Sequence, residues 1–196
     1  DLMGITAIDS GKLDIELEPV NVERALDRGL QNARFRLAER ELNTHLEIGE
    51  VEPIYLDPDC VQQIVDNLLN NACKSSETGT TIHILAHEEQ DESGKAYLHF
   101  SVSDTGGGIA PEERTRVFER FYRADSALIS GLGETGVGLA IVKEMVEAHG
   151  GQVWIETELG QGTTFHVMLP YGLEKKMDAE SNGLNLLRSL GDNGHG

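Results

Sequence analysis

Hydrophobic and polar positions switch between helical and strand periods along this chain, and the switches divide it into elements. Leu2, Met3, Ile5, Ala7 and Ile8 fall at helical spacing until Ser10-Gly11-Lys12 breaks the pattern, so residues 1–11 read as the last turns of a preceding helix. Leu13, Ile15 and Leu17 alternate and predict a short edge strand; Asn21 is then placed to cap a helix running to about residue 41. Residues 42–48 alternate again, with Leu42, Thr44, Leu46 and Ile48 on one side and His45 on the other. A strand over 51–56 is confined to an edge or a bulge by Pro53, which has no N–H to give to a ladder. Asp57 followed by Pro58 is a strong helix start, a side-chain cap and then a residue whose missing donor costs nothing.

That helix, 58–75, carries Val61, Ile64, Val65, Leu68, Leu69 and Ala72 as one apolar stripe. Strands over 80–88 and 95–103 follow, joined by a polar turn, and a glycine loop opens at Gly106. A mixed helical segment runs to about Tyr122, a Gly- and Ser-rich loop covers 123–135, and a further helix spans 136–149. A last hairpin pairs 152–156 with 163–169 through Gly160-Gln161-Gly162. Strands in one mixed sheet with helices packed on one face give an α+β fold, a two-layer α/β sandwich over residues 12–171. Residues 172–196 turn polar and glycine-rich, with Leu184, Leu187 and Leu190 at the spacing of one amphipathic helix, and read as a loose or partly helical tail.

Charge changes the picture by exclusion. With 34 acidic against 16 basic residues the formal charge is −18, which repels nucleic acid and anionic lipid alike. No apolar run approaches the roughly 20 residues of a membrane helix, so the chain reads as soluble. Two cysteines, Cys60 and Cys73, form no disulfide framework or zinc pattern, and a reducing, cytoplasmic setting is expected.

Three local patterns carry chemistry. Asn67, Asn71 and Lys74 stand at i, i+4 and i+7 on the 58–75 helix, two neutral carboxamides suited to Mg²⁺ and an ammonium suited to phosphate; taken alone, such a face is more often merely solvated. Asp104 continues the apolar parity of Ala96, Leu98, Phe100 and Val102 and is followed by Thr105-Gly106-Gly107-Gly108-Ile109, a buried acceptor beside a glycine floor, as a base pocket requires; an ordinary Asp-Thr-Gly turn has the same letters. Gly131 and Gly133 lie in the loop and Gly136 and Gly138 at the start of the 136–149 helix, where backbone N–H groups and the helix dipole favour phosphate, although no Gly-Lys-Ser or Gly-Lys-Thr follows.

In this order the three patterns resemble the catalytic ATP-binding domain of bacterial sensor histidine kinases. Its N box is matched by Asn67-Leu68-Leu69-Asn70-Asn71-Ala72-Cys73-Lys74 and its G1 box by Asp104-Thr105-Gly106-Gly107-Gly108-Ile109. Val117-Phe118-Glu119-Arg120-Phe121-Tyr122-Arg123 is similar to the F box, and Thr135-Gly136-Val137-Gly138-Leu139-Ala140-Ile141-Val142-Lys143 to the G2 box. The likeness covers about residues 10–170 and implies a Bergerat-type fold that binds ATP and Mg²⁺. It implies Asn71 as the Mg²⁺ ligand with Asn67 supporting it, Lys74 on phosphate, and Asp104 accepting from the adenine amine between Gly106 and Gly108. Residues 123–135 become the ATP lid, with Phe118 and Phe121 as packing anchors and Arg123 at its root reaching the terminal phosphates. Tyr122, Thr135, Gly136, Val137, Gly138 and Leu139 complete the nucleotide-binding set.

The implied chemistry is transfer of the γ-phosphoryl group of ATP to a histidine on a dimerisation domain of the same kinase that this chain lacks, with a response-regulator receiver domain as the further partner. Gyrase-type ATPases of this fold have a water-activating glutamate where Asn67 stands, which favours a kinase over a hydrolase. None of His45, His83, His87, His99, His149, His166 and His195 has the flanking pattern of a phosphoacceptor, and all are read as structural or surface residues. Dimerisation belongs to the absent helices, so the isolated chain is expected to be monomeric. Two positions depart from the family: Glu134 replaces the first glycine of the G2 box, and Ser75 stands where an aromatic residue often faces the nucleoside. A nucleotide-binding interaction module without phosphotransfer is the alternative reading; an anti-sigma-type serine kinase is disfavoured by the F box.

Overall fold

Asn21 starts the first helix as expected: its side chain accepts a 2.8 Å hydrogen bond from the Arg24 N–H, and α1 runs over Val22–Glu39 with Val22, Leu26, Gly29 and Ala33 buried. The computed structural model describes residues 14–51, 54–120, 122 and 137–171. The helix end expected at 1–11, the lid with Arg123, Glu134 and Thr135, the adjoining Gly136, and the tail at 172–196 all lie outside the described residues.

The strand expected at 13–17 is displaced. Residues 14–17 have no regular structure, and the strand is β1, Glu18–Val20. Its position is set by its partner, since Glu18, Pro19 and Val20 pair antiparallel with Leu56, Tyr55 and Ile54, while Leu17 stays 42% exposed with no face to bury. After β2 (Asn43–Ile48) that partner is β3 (Ile54–Leu56), and the two form a small sheet of their own rather than joining the main one.

Asp57 caps α2 (Pro58–Ser75), its Oδ1 accepting from the Asp59 and Cys60 N–H groups at 3.0 Å each. The chain continues through β4 (Thr81–Gln90), β5 (Ala96–Asp104), two 3₁₀ turns at Pro111–Glu113 and Arg116–Phe118, α3 (Gly138–Ala148), β6 (Gln152–Glu158) and β7 (Gly162–Pro170). The main sheet has the order β2-β4-β5-β7-β6 and is mixed, with β2 parallel to β4 and every other pair antiparallel. The parallel pair needs a crossover, which β3 and α2 supply.

Alternation along the strands sends one side of the sheet inward. Ile82, Ile84 and Ala86, Leu98, Phe100 and Val102, and Phe165, Val167 and Leu169 join Ile64, Leu68, Leu69 and Ala72 of α2 and Val142 and Val146 of α3 in one buried cluster. The opposite face of the sheet carries polar residues and most of the histidines. This is the expected α+β sandwich.

Candidate functional site

Helix α2 is the wall on which the site is built. Its apolar stripe is held on the sheet, and the adjoining face presents Asn67, Asn71 and Lys74, all half-buried. Asn67 donates through Nδ2 to the Gln63 carbonyl at 2.9 Å, which leaves its Oδ1 facing α3: a Cβ at Gly138 would sit 3.0 Å from it. The Asn71 side chain has no hydrogen bond and Lys74 no ion pair among the described residues, so a carboxamide and an ammonium stand ready for an external ligand. The Ser75 hydroxyl is turned back onto its own helix, donating to the Asn71 carbonyl at 2.8 Å.

Asp104 ends β5 at 6% exposure. Its Oδ1 accepts from the Gly106 N–H at 2.9 Å and the Thr163 N–H at 3.3 Å, whereas Oδ2 is buried with no partner. Burial pushes the carboxyl up to about 6, against the pull of those two amides. Two glycines make the floor. A Cβ on Gly106 would stand 2.5 Å from the Ser75 carbonyl oxygen, so the loop after Asp104 presses directly on the end of α2. Gly108 has φ of +72°, and a Cβ there would meet the Glu158 carbonyl oxygen at 2.2 Å. Through these contacts the structure brings the Asp104 loop, the Asn71–Lys74 end of α2 and the start of α3 around one wall.

Helix α3 begins at Gly138 after Val137, two residues later than the sequence indicates, and Val137 supplies no side-chain cap. Among the described residues no side chain caps its first N–H groups, while Leu139 packs against the core. Tyr122 is fastened away from its backbone by a 2.8 Å hydrogen bond to Glu113 and by the Arg116 guanidinium 4.4 Å above its ring. Phe118 meets Phe165 edge to face at 6.4 Å, as an aromatic at the edge of the core does. Phe121 and Arg123 lie outside the described residues.

Two contributors escape sequence reasoning. Arg40 donates to the Lys74 carbonyl at 2.8 Å and the Ser76 carbonyl at 2.9 Å, closing the C-terminal end of α2 just where the site lies. Thr163, buried on the neighbouring strand, gives Asp104 its second amide across a separation of 59 residues. A basic residue after a helix carries no local signal for the first, and only the β5–β7 register places the second. His149 is structural: its Nδ1 faces the Met145 carbonyl at 2.7 Å, and its Nε2 accepts from the Asp57 N–H at 3.2 Å. His45, His83, His87, His99 and His166 lie on sheet strands, and His195 is outside the described residues.

An acceptor without a donor, a glycine floor and a helix start set against a face of two carboxamides and one ammonium define a nucleotide-binding class of site. The chain belongs to the histidine kinase-, DNA gyrase B- and HSP90-like ATPase family, whose model matches residues 56–173. Within that family it is similar to sensor histidine kinases. It is 35% identical over 173 residues to the circadian input-output histidine kinase CikA of Synechococcus elongatus, covering 87% of this chain and 22% of that protein. Against the sensor histidine kinase WalK of Bacillus subtilis it is 36% identical over 185 residues, 91% of this chain and 29% of that one. Among solved structures, full-length ShkA in complex with AMPPNP superposes with a TM-score of 0.72 at 30% identity, over 87% of this chain and 34% of ShkA. The chain thus spans under a third of the curated relatives it matches, and corresponds to their ATP-binding catalytic domain. Among the described residues no helix is long and apolar enough to cross a membrane.

Proposed function

We propose that this domain binds Mg·ATP between α2, the Asp104 loop and the start of α3, and donates the γ-phosphoryl group to a histidine on a helical dimerisation domain of the same kinase. The observation that carries the reading is the buried, unpartnered Oδ2 of Asp104 above the Gly106–Gly108 floor. An exocyclic amine satisfies that oxygen and an unsubstituted backbone admits a flat base beside it. Support comes also from ShkA, which was solved with AMPPNP.

The donor set fits Mg²⁺, since Asn71 offers an uncommitted neutral oxygen and the half-buried Lys74 faces no anion among the described residues. Bound Mg²⁺ would neutralise phosphate charge at Asn71. Asn67, pinned by its bond to Gln63, positions the start of α3 beside that residue. Lys74 holds the phosphates by charge, and the amides of Gly138 and Leu139 receive them at the helix terminus. Arg123, Thr135 and Gly136 are assigned to the phosphates, and Tyr122 and Val137 to the edge of the pocket, on the family motif. Since no group on this face of α2 serves as a base for water, the work of the domain is positioning and charge neutralisation, and the nucleophile is supplied from outside.

The partners follow: the acceptor histidine domain first, then the receiver domain of a response regulator, in the cytoplasm where ATP is available. The test supplies an isolated acceptor domain in trans with γ-labelled ATP. Label on the acceptor histidine, lost with Asn71→Ala, supports the kinase; nucleotide binding without label makes the chain an interaction module.

A further inference from the structure

The face of the main sheet turned away from the nucleotide site holds a second constellation. Period-two alternation puts His87 and Glu89 of β4 on that face, and the register sets His99 of β5 directly opposite His87. The imidazole rings of His87 and His99 are 4.9 Å apart. Glu89 Oε2 lies 2.9 Å from His99 Nδ1 and 3.9 Å from His87 Nε2, and the three ligand atoms all fall within 4.8 Å of one another. Ligands bound tetrahedrally at about 2.0–2.1 Å from a zinc ion are separated by roughly 3.3 Å, so the two separations from Glu89 bracket the required one, and rotation about the side-chain bonds of His87 brings the third, within 4.8 Å, toward it.

Behind these three stands the kind of support that metal-bound imidazoles need. His99 Nε2 is 3.1 Å from His166 Nδ1, and His166 Nε2 is 3.8 Å from Glu156. With His99 Nδ1 on an ion, the proton sits on Nε2 and is donated to His166, whose own Nε2–H is then aimed at a carboxylate. Trp154 stacks on His166 with ring centres 4.9 Å apart and planes 8° from parallel, walling this relay. His99 Nδ1 and His166 Nε2 are both buried, and each faces a carboxylate, Glu89 at 2.9 Å and Glu156 at 3.8 Å, without an aligned hydrogen bond. An ion between Glu89 and the first would take up both lone pairs, and the carboxylate of Glu156 receives the proton of the second.

We propose that His87, Glu89 and His99 form a site for a divalent transition-metal ion of the zinc class, with water in the fourth position and His166 and Glu156 as positioning residues. Two imidazoles and one carboxylate select this class over Mg²⁺, which takes hard oxygen ligands. The site bridges β4 and β5, staples the centre of the sheet, and is separate from the nucleotide pocket on the other face.

Trp154 is the only tryptophan in the chain, and its ring lies 5.3 Å from that of His99, so it reports on occupancy directly. The full chain is titrated with Zn²⁺ by calorimetry in excess Mg²⁺ without nucleotide, and with Cu²⁺ while Trp154 fluorescence is followed. The expected result is one Zn²⁺ per chain and quenching by Cu²⁺, both lost with His87→Ala or Glu89→Gln, with affinity reduced about ten- to a hundredfold by His166→Ala. Substitution of Co²⁺ gives the intense visible absorption of a four-coordinate ion. His83→Ala, which removes the neighbouring histidine pair with His45, leaves binding unchanged. Far-ultraviolet circular dichroism and binding of an ATP analogue confirm that each variant is folded. No binding at tens of micromolar Zn²⁺, or binding that survives both His87→Ala and Glu89→Gln, overturns the proposal.

Discussion

Asp104 is the residue at which stability and function oppose each other. Its value of about 6 lies above the 3.8 of an exposed aspartate, so the folded chain holds this proton more tightly than the unfolded one. The stabilisation that follows is complete below about pH 4 and is lost as pH rises through about 6. Asp104→Asn keeps an oxygen for the Gly106 and Thr163 amides but carries no charge. Denaturant unfolding is therefore expected to find it more stable than the native chain at pH 8, by about 3 kcal/mol at most, and equal to it at pH 4. The same variant loses ATP, because the acceptor for the adenine amine is gone. Native affinity for an ATP analogue should be level above about pH 6 and fall about tenfold per unit below it, since the ionised carboxylate is the acceptor. A flat profile down to pH 5 would remove Asp104 from the pocket. Gly108 makes a second residue-scale test: Gly108→Ala forces a side chain into left-handed backbone and onto the Glu158 carbonyl, and a thermal melt should show a loss of about 2 kcal/mol or more.

At the scale of elements, α2 is the part most nearly legible in the sequence. Asp57, Pro58 and the stripe from Val61 to Ala72 are local signals, and the helix runs over Pro58–Ser75 as expected. The face bearing Asn67, Asn71 and Lys74 was legible for the same reason, a fixed period on a helix of known ends. The first strand was not. Leu13, Ile15 and Leu17 alternate as well as any edge strand, but a strand exists only where a partner offers free ladder groups, and β3 offers them to residues 18–20. Nor did local pattern give the β2-β4-β5-β7-β6 order, the separate two-stranded sheet, or the Thr163 amide on Asp104, all of which depend on contacts distant in sequence. The clamp from Arg40 tests how far the site depends on the end of α2. Arg40→Met removes two charge-assisted bonds to terminal carbonyls and is expected to cost about 2 kcal/mol by denaturant unfolding, with weaker binding of nucleotide. Unchanged stability would mean that the Gly106 contact with Ser75 holds that end alone.

At the scale of the molecule, the main mixed sheet of the described residues has a different chemistry on each face: the nucleotide wall of α2 and α3 on one, the histidine and tryptophan row on the other. The proposed metal site staples β4 to β5, the strand that ends in Asp104, without touching the pocket. The charge of −18 leaves a surface that repels anionic polymers and keeps the domain in solution. Light scattering of the isolated chain at micromolar concentration is expected to give a monomer; a dimer would place an association surface on this domain itself.

Nucleotide binding at Asp104 and Asn71 is tested most directly by calorimetric titration of a non-hydrolysable ATP analogue, with and without Mg²⁺, against the native chain, Asp104→Ala and Asn71→Ala. The native chain is expected to bind, Asp104→Ala not to bind, and Asn71→Ala to bind without responding to Mg²⁺. No binding by the native chain at millimolar nucleotide, or native-like binding by Asp104→Ala, would contradict this assignment of the site.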